Sequence, residues 1–216
     1  FLVSKFFPVS TLYLSFIFDE GNFEIWQKPL KDGNMAILGG CGPMGMGSID
    51  YAIHREIKPK RLVVTDISDE RIQRASSILT VEEAAKNGVE LIYVNPNNHE
   101  NPEEYLKSLT DGKGYDDVLV YVPFEQLVVQ GDKILGHDGT LNFFAGPVDN
   151  QFSAPINMYN IHYAATKVIG STGGNTDDMI ESLEMTAKGL INPAVMVTHV
   201  GGLDSAGETI DRKSVV

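Results

Sequence analysis

One short reach of the chain carries residues whose types and spacing can hold an anion and a sugar. Gly40, Gly42 and Gly45 form G-x-G-x-x-G directly after the apolar run Met35 to Leu38, and Asp66 follows 21 positions after Gly45, where "RLVVTD" ends. Glycines in this pattern allow, in order, a tight turn, the approach of a phosphate to the backbone, and close packing of the helix that follows. Free amides at the start of that helix face an anion where the helix dipole favours negative charge. Pro43 fits the first helical turn, where no amide hydrogen is needed, and Met44 lies beside it. Asp66 stands near the spacing of about 20 residues at which an acid accepts hydrogen bonds from an adenosine ribose. It can instead cap the next helix, although Ser68 and Asp69 are available for that task.

A carboxylate at position 66 also discriminates between dinucleotides. A 2'-phosphate beside it meets like-charge repulsion in a partly shielded site, which favours NAD over NADP. Ile67 adjoins this site, and Arg71 can flank an adenine face, compensate a phosphate, or stand as an ordinary solvated arginine. Ligands of open parallel sheets lie outside the carboxyl ends of the strands, which draws in Val122 and Pro123 from "LVYVPF" and Ala145 and Gly146 from "LNFFAGPV". Turn chemistry explains the same prolines and glycines equally well. "GSTGGN", residues 170 to 175, reads as punctuation capping the helix from Asp177.

A second constellation competes with the first. Tyr163 and Lys167 have the Tyr-x-x-x-Lys spacing of short-chain reductases, in which one helical turn lets the lysine lower the tyrosine pKa for proton transfer, and Ser153 can be offered as a third member. The glycine frame is not the one those enzymes use, and Lys167 runs straight into the strand-like "VIGS". Cys41 lies inside the glycine turn, where a small neutral side chain packs well. The five histidines, His54, His99, His137, His162 and His199, form no metal-binding helix motif.

These residues need a scaffold of alternating strands and helices. Apolar runs rich in Val, Ile, Leu and Tyr fall at Met35 to Leu38, Arg61 to Thr65, Leu91 to Val94, Val118 to Val122, Leu141 to Phe144 and Val168 to Ile169. Helix-compatible stretches lie between them at Asp69 to Leu79, Asn101 to Leu109, Glu125 to Ile134 and Asp177 to Lys188. A parallel pair cannot be closed by a tight hairpin, so this alternation predicts an α/β, Rossmann-type doubly wound sheet of six parallel strands. The domain boundaries expected are residues 33 to 192 for the dinucleotide-binding unit, 1 to 32 for an irregular N-terminal remnant, and 193 to 216 for a partial return segment.

Bulk composition narrows the partners. The chain has 216 residues, 43% of them hydrophobic and 21% charged, as in an ordinary globular protein. A net charge of -12 opposes binding to nucleic acid or to anionic membrane surfaces. The single cysteine excludes an internal disulfide framework and fits a reducing, cytoplasmic setting. The aromatic-rich opening "FLVSKFFPVSTLYLSFIF" is interrupted by Pro8 and has too short an uncharged run for a bilayer span.

"MAILGGCGPMGMGSIDYAIH", "RLVVTDISDERIQRA" and "KVIGSTGGNTDDMIESLEM" together resemble the cofactor domain of medium-chain, zinc-type alcohol dehydrogenases, particularly the sugar and polyol branch that includes sorbose-1-phosphate reductase-like proteins. "INPAVMVTHVGGLDSAGETID" is similar to the stretch by which that family's chain returns to its catalytic domain. The resemblance covers about residues 33 to 212. It implies NAD(H)-dependent interconversion of an alcohol and a carbonyl in a sugar, polyol or related substrate, and a homodimer paired through the last strand near Val168 to Ser171. It also implies a catalytic zinc in the full-length family, whose Cys, His and acidic ligands have no counterpart before Gly33, so no zinc is expected on this chain. Two functions remain in view: the cofactor half of a dehydrogenase with little turnover alone, and a stand-alone dinucleotide-sensing or interaction module.

Overall fold

The structure is a computed structural model that describes residues 32 to 205 and residue 207. The N-terminal remnant expected over residues 1 to 32 lies almost wholly outside the described residues, as do residues 208 to 216. Six strands form one sheet: β1 (Asn34–Leu38), β2 (Arg61–Thr65), β3 (Glu90–Val94), β4 (Tyr115–Val120), β5 (Leu135–Phe143) and β6 (Lys167–Gly170). Their order is β3-β2-β1-β4-β5-β6, and every neighbouring pair is parallel. The order reverses direction between β1 and β4, the position at which such sheets open a crevice.

Seven α-helices flank the strands among the described residues, six between strands and the last after β6: α1 (Pro43–His54), α2 (Asp69–Ile78), α3 (Val81–Lys86), α4 (Pro102–Ser108), α5 (Glu125–Ile134), α6 (Met158–Tyr163) and α7 (Thr176–Ala187). Strands covered on both faces read as continuous apolar runs, and β1 and β2 are buried from their second residue onward. Met35 and Ile37 face a core that includes Met46, Ile49 and Ile53 of α1 and Met185 of α7. Ala36 and Leu38 face the opposite core, with Leu106 of α4 and Val128 and Ile134 of α5. Successive strand residues therefore serve different layers.

Two contacts fix the α1 side. Tyr51 donates its hydroxyl hydrogen to Glu181 Oε1 at 2.6 Å, joining α1 to α7. Asp50, buried in α1, accepts the Asn192 amide at 2.7 Å, and Arg74 of α2 reaches the carbonyls of Val195 and Val197 at 3.4 and 3.3 Å. The Pro193–Met196 turn is thus held on α1 and α2, with Val195 and Met196 buried in their core.

The expected strands and helices are present, with shifted edges. β4 begins at Tyr115 rather than Val118, because Tyr115 is buried and pairs with Leu135 before a register shift near Asp117. β5 likewise begins at Leu135 rather than Leu141. α3 and α6, six residues each, were not foreseen.

Candidate functional site

The crevice is built around the turn between β1 and α1. Its left-handed residue is Gly39, with φ of 72°, rather than Gly40. A side chain on Gly39 would also collide with Val122 Cγ2 across the switch point. Gly40 instead needs its small size: a Cβ there would lie 2.7 Å from both Ile37 Cγ2 and Val64 Cγ1, while its N–H donates to the Thr65 carbonyl at 2.8 Å. Gly45 lets α1 press on the turn, since a Cβ would strike the Gly40 carbonyl and sit 2.6 Å from Gly40 Cα. Gly42 differs from all three. It is the N-cap of α1, a Cβ on it would meet nothing within 4 Å, and no side chain caps the helix. With Pro43 at the first helical position, the following amides at Met44 and Gly45 have no side-chain acceptor.

Asp66 lies one strand away, buried at the end of β2. Its Oδ1 accepts the Ser68 amide at 3.0 Å. The capping residue of α2 is Ser68, whose Oγ accepts the Arg71 amide at 3.3 Å, so Asp66 is not spent as that cap. Asn95, after β3, braces the same loop by donating to Asp69 Oδ1 at 2.6 Å and to the Ile67 carbonyl at 3.3 Å. Ile67 is left 63% exposed, and the exposed Arg71 stands near enough to act on Cys41. Burial, and then the Asp66 charge, push the Cys41 thiol up to about 12 against the pull of Arg71. Cys41 is therefore a neutral packing group.

The ends of β4 and β5 complete the edge. The Tyr121 amide donates to the Leu38 carbonyl at 3.0 Å, and the Phe144 and Ala145 amides reach the Val120 carbonyl at 3.1 and 3.0 Å. Val122 and Pro123, both half-buried, follow β4; buried Ala145 and exposed Gly146 follow β5. A Cβ on Gly146 would meet nothing within 4 Å. Phe124, 59% exposed at the start of α5, offers an apolar ring at this edge. Sequence reasoning missed it, because one aromatic residue beside a proline has no periodic signal.

Other candidates are not brought together. Tyr163 ends α6, 66% exposed, with its ring against Tyr159 and His162. Lys167 begins β6 and binds Asp138 through both its carboxylate and its carbonyl. The two share no helix, so the short-chain arrangement lacks its geometry, and Ser153 is an exposed loop residue. The "GSTGGN" stretch ends in a capping box: Asn175 Oδ1 accepts the Asp177 and Asp178 amides at 2.7 and 3.1 Å, and Asp178 Oδ2 accepts the Asn175 amide at 2.6 Å.

A family profile described as "Zinc-binding dehydrogenase" matches residues 43–188. The chain belongs to that family. Among its relatives, mannitol-1-phosphate 5-dehydrogenase of Aliivibrio fischeri is 54% identical over 83% of the chain and 43% of the relative. L-sorbose 1-phosphate reductase of Klebsiella pneumoniae is 43% identical over 88% of the chain and 45% of the relative. The chain thus spans less than half the length of these curated relatives. The fold agrees with benzyl alcohol dehydrogenase of Acinetobacter calcoaceticus, with a TM-score of 0.71 at 14% identity, covering 97% of the chain and 52% of that structure.

The family name implies zinc, and the described residues do not fit it. No group of three or more His, Cys, Asp or Glu among them converges to hold a metal. His54 Nδ1 is engaged with Asp50 Oδ1 at 2.9 Å, and Cys41 keeps its proton.

Proposed function

We propose that the chain is the NAD(H)-binding half of an oxidoreductase that interconverts alcohol and carbonyl in a sugar, polyol or related substrate. The observation that carries this reading is the pairing of an uncapped, unobstructed helix start at Gly42 with a buried carboxylate, Asp66, one strand over. The diphosphate would take the amides of Met44 and Gly45, and the adenosine ribose would donate to Asp66. Ile67 and Phe124 offer exposed apolar surface to the adenine, and Val122, Pro123, Ala145 and Gly146 line the nicotinamide half. When bound, the nicotinamide supplies a hydride acceptor or donor; the residues of this chain bind and orient it. The sugar-phosphate names of the two relatives support the substrate class.

Asp66 sets the preference for NAD, because a 2'-phosphate beside it meets like charge. Titration calorimetry with NAD and NADP tests this. Asp66→Ala is expected to weaken NAD by about tenfold, the loss of a charge-assisted hydrogen bond, and to narrow the gap to NADP. Unchanged affinity for both would remove Asp66 from the site.

The same reading includes a homodimer and a cytoplasmic setting. β6 ends the sheet order, Val168 on it is 41% exposed, and Tyr159 and Tyr163 stand exposed on the adjacent α6. Sedimentation at micromolar concentration should give twice the chain mass. A monomer would remove the pairing without touching the cofactor site. No helix among the described residues is long and apolar enough to cross a membrane.

A further inference from the structure

Tyr121 follows β4 at the point where the strand order reverses. Its ring packs into the core on the α1 side and lies 5.1 Å from the Phe144 ring, while its amide is tied to Leu38. Its hydroxyl meets Ser48 Oγ, 73 residues away in sequence and fully buried in α1. Ser48 Oγ in turn lies 3.3 Å from the Met44 carbonyl oxygen. A carbonyl can only accept, so the Ser48 proton goes to Met44, and the proton between the two hydroxyls must come from Tyr121. Burial pushes the Tyr121 phenol pKa up, which keeps that proton in place. The result is a directed chain from Tyr121 through Ser48 to Met44, each bond polarising the next.

Met44 belongs to the first turn of α1, the turn left without a side-chain cap. We propose that Tyr121 is a positioning residue for the dinucleotide: through Ser48 it locks the opening turn of α1 to the end of β4. This holds the diphosphate-facing amides in fixed relation to the β4 and β5 ends. The inference rests on the dinucleotide reading above. Gly45 already seats one side of the turn on Gly40; the hydroxyl chain ties the side toward β4.

The test uses Tyr121→Phe, Ser48→Ala and the double variant of the full chain, titrated with NADH and with ADP-ribose, with urea unfolding alongside. Each single variant should weaken both ligands alike, by about three- to tenfold, the worth of one ordinary hydrogen bond. The double variant should be no weaker than the weaker single one, because the two hydroxyls act as one unit. A purely structural role would lower the unfolding midpoint and leave both affinities where they were, which overturns the proposal. Additive losses overturn it too, as does a loss confined to NADH, which would place the effect on the nicotinamide half. A wild-type chain that binds neither ligand sinks the dinucleotide reading and this inference together, whereas normal wild-type binding with unaltered variants sinks the hydroxyl chain alone. Should Tyr121→Phe fail to fold, Ser48→Ala carries the same comparison.

Discussion

Helices α1 and α7 both begin after a glycine-rich stretch at the carboxyl end of a parallel strand, yet their first turns are finished differently. At α7 the chain satisfies itself: Asn175 and Asp178 exchange hydrogen bonds with the opening amides. At α1 the cap is a glycine, the next residue is a proline, and no side chain caps the opening amides. Glycine content therefore does not mark an anion site. α1 leaves its opening amides without a side-chain acceptor, and in the proposed reading a diphosphate supplies it.

The largest expected effect on this contrast comes from Gly45→Ala. Its Cβ would run into the Gly40 backbone, which cannot yield as a flexible side chain can. Unfolding in urea should show a loss of about 3 kcal/mol, and dinucleotide binding should disappear with it. Gly42→Ala separates the two properties. Its methyl enters open space, so stability should stay within about 0.5 kcal/mol, while NAD affinity falls by about tenfold because that space is where the diphosphate must approach. Equal affinity in Gly42→Ala would mean that the open face is not used.

At the other helix, Asn175→Ala should cost about 1 kcal/mol by loss of a cap and leave calorimetric NAD binding unchanged. Weaker binding there would erase the distinction between the two starts. The smallest effect concerns Asp50, further along α1. Burial pushes its carboxyl above the ordinary 3.8, against the opposing pulls of the Asn192 amide and His54. A carboxyl raised in this way favours folding most when protonated, and that contribution is lost as pH rises through the folded value. Asp50→Asn should therefore gain in Tm relative to wild type as pH climbs from 3.8. A gap that does not change with pH would show that Asp50 is not the group responsible.

The parts legible in the sequence were those whose cause is local. β1 and β2 are continuous apolar runs and α5 is a helix-compatible stretch between breakers, and the spacing from Gly45 to Asp66 follows from one strand-helix-strand unit. α3 and α6 are too short for a periodic signal. The first half of β5, "LGHDG", contains two glycines and two polar residues; only its Leu135 pairs with β4, and the four residues after it fill the register shift, with Asp138 at a left-handed φ of 63°. Gly39 escaped notice because G-x-G-x-x-G begins one residue later, while the side chain that excludes a Cβ there, Val122, lies far off in the sequence, just after β4. The meeting of Tyr121 with Ser48 depends on the assembled sheet and has no trace in either residue's neighbourhood.

The grip of Asp50 and Arg74 on residues 192 to 197 has a mechanical corollary. These two side chains come from the helices that follow β1 and β2, so the polypeptide departs from a berth moored beside the proposed dinucleotide site. Traction on anything downstream of Val197 would bear on α1 and α2 through Asp50 and Arg74.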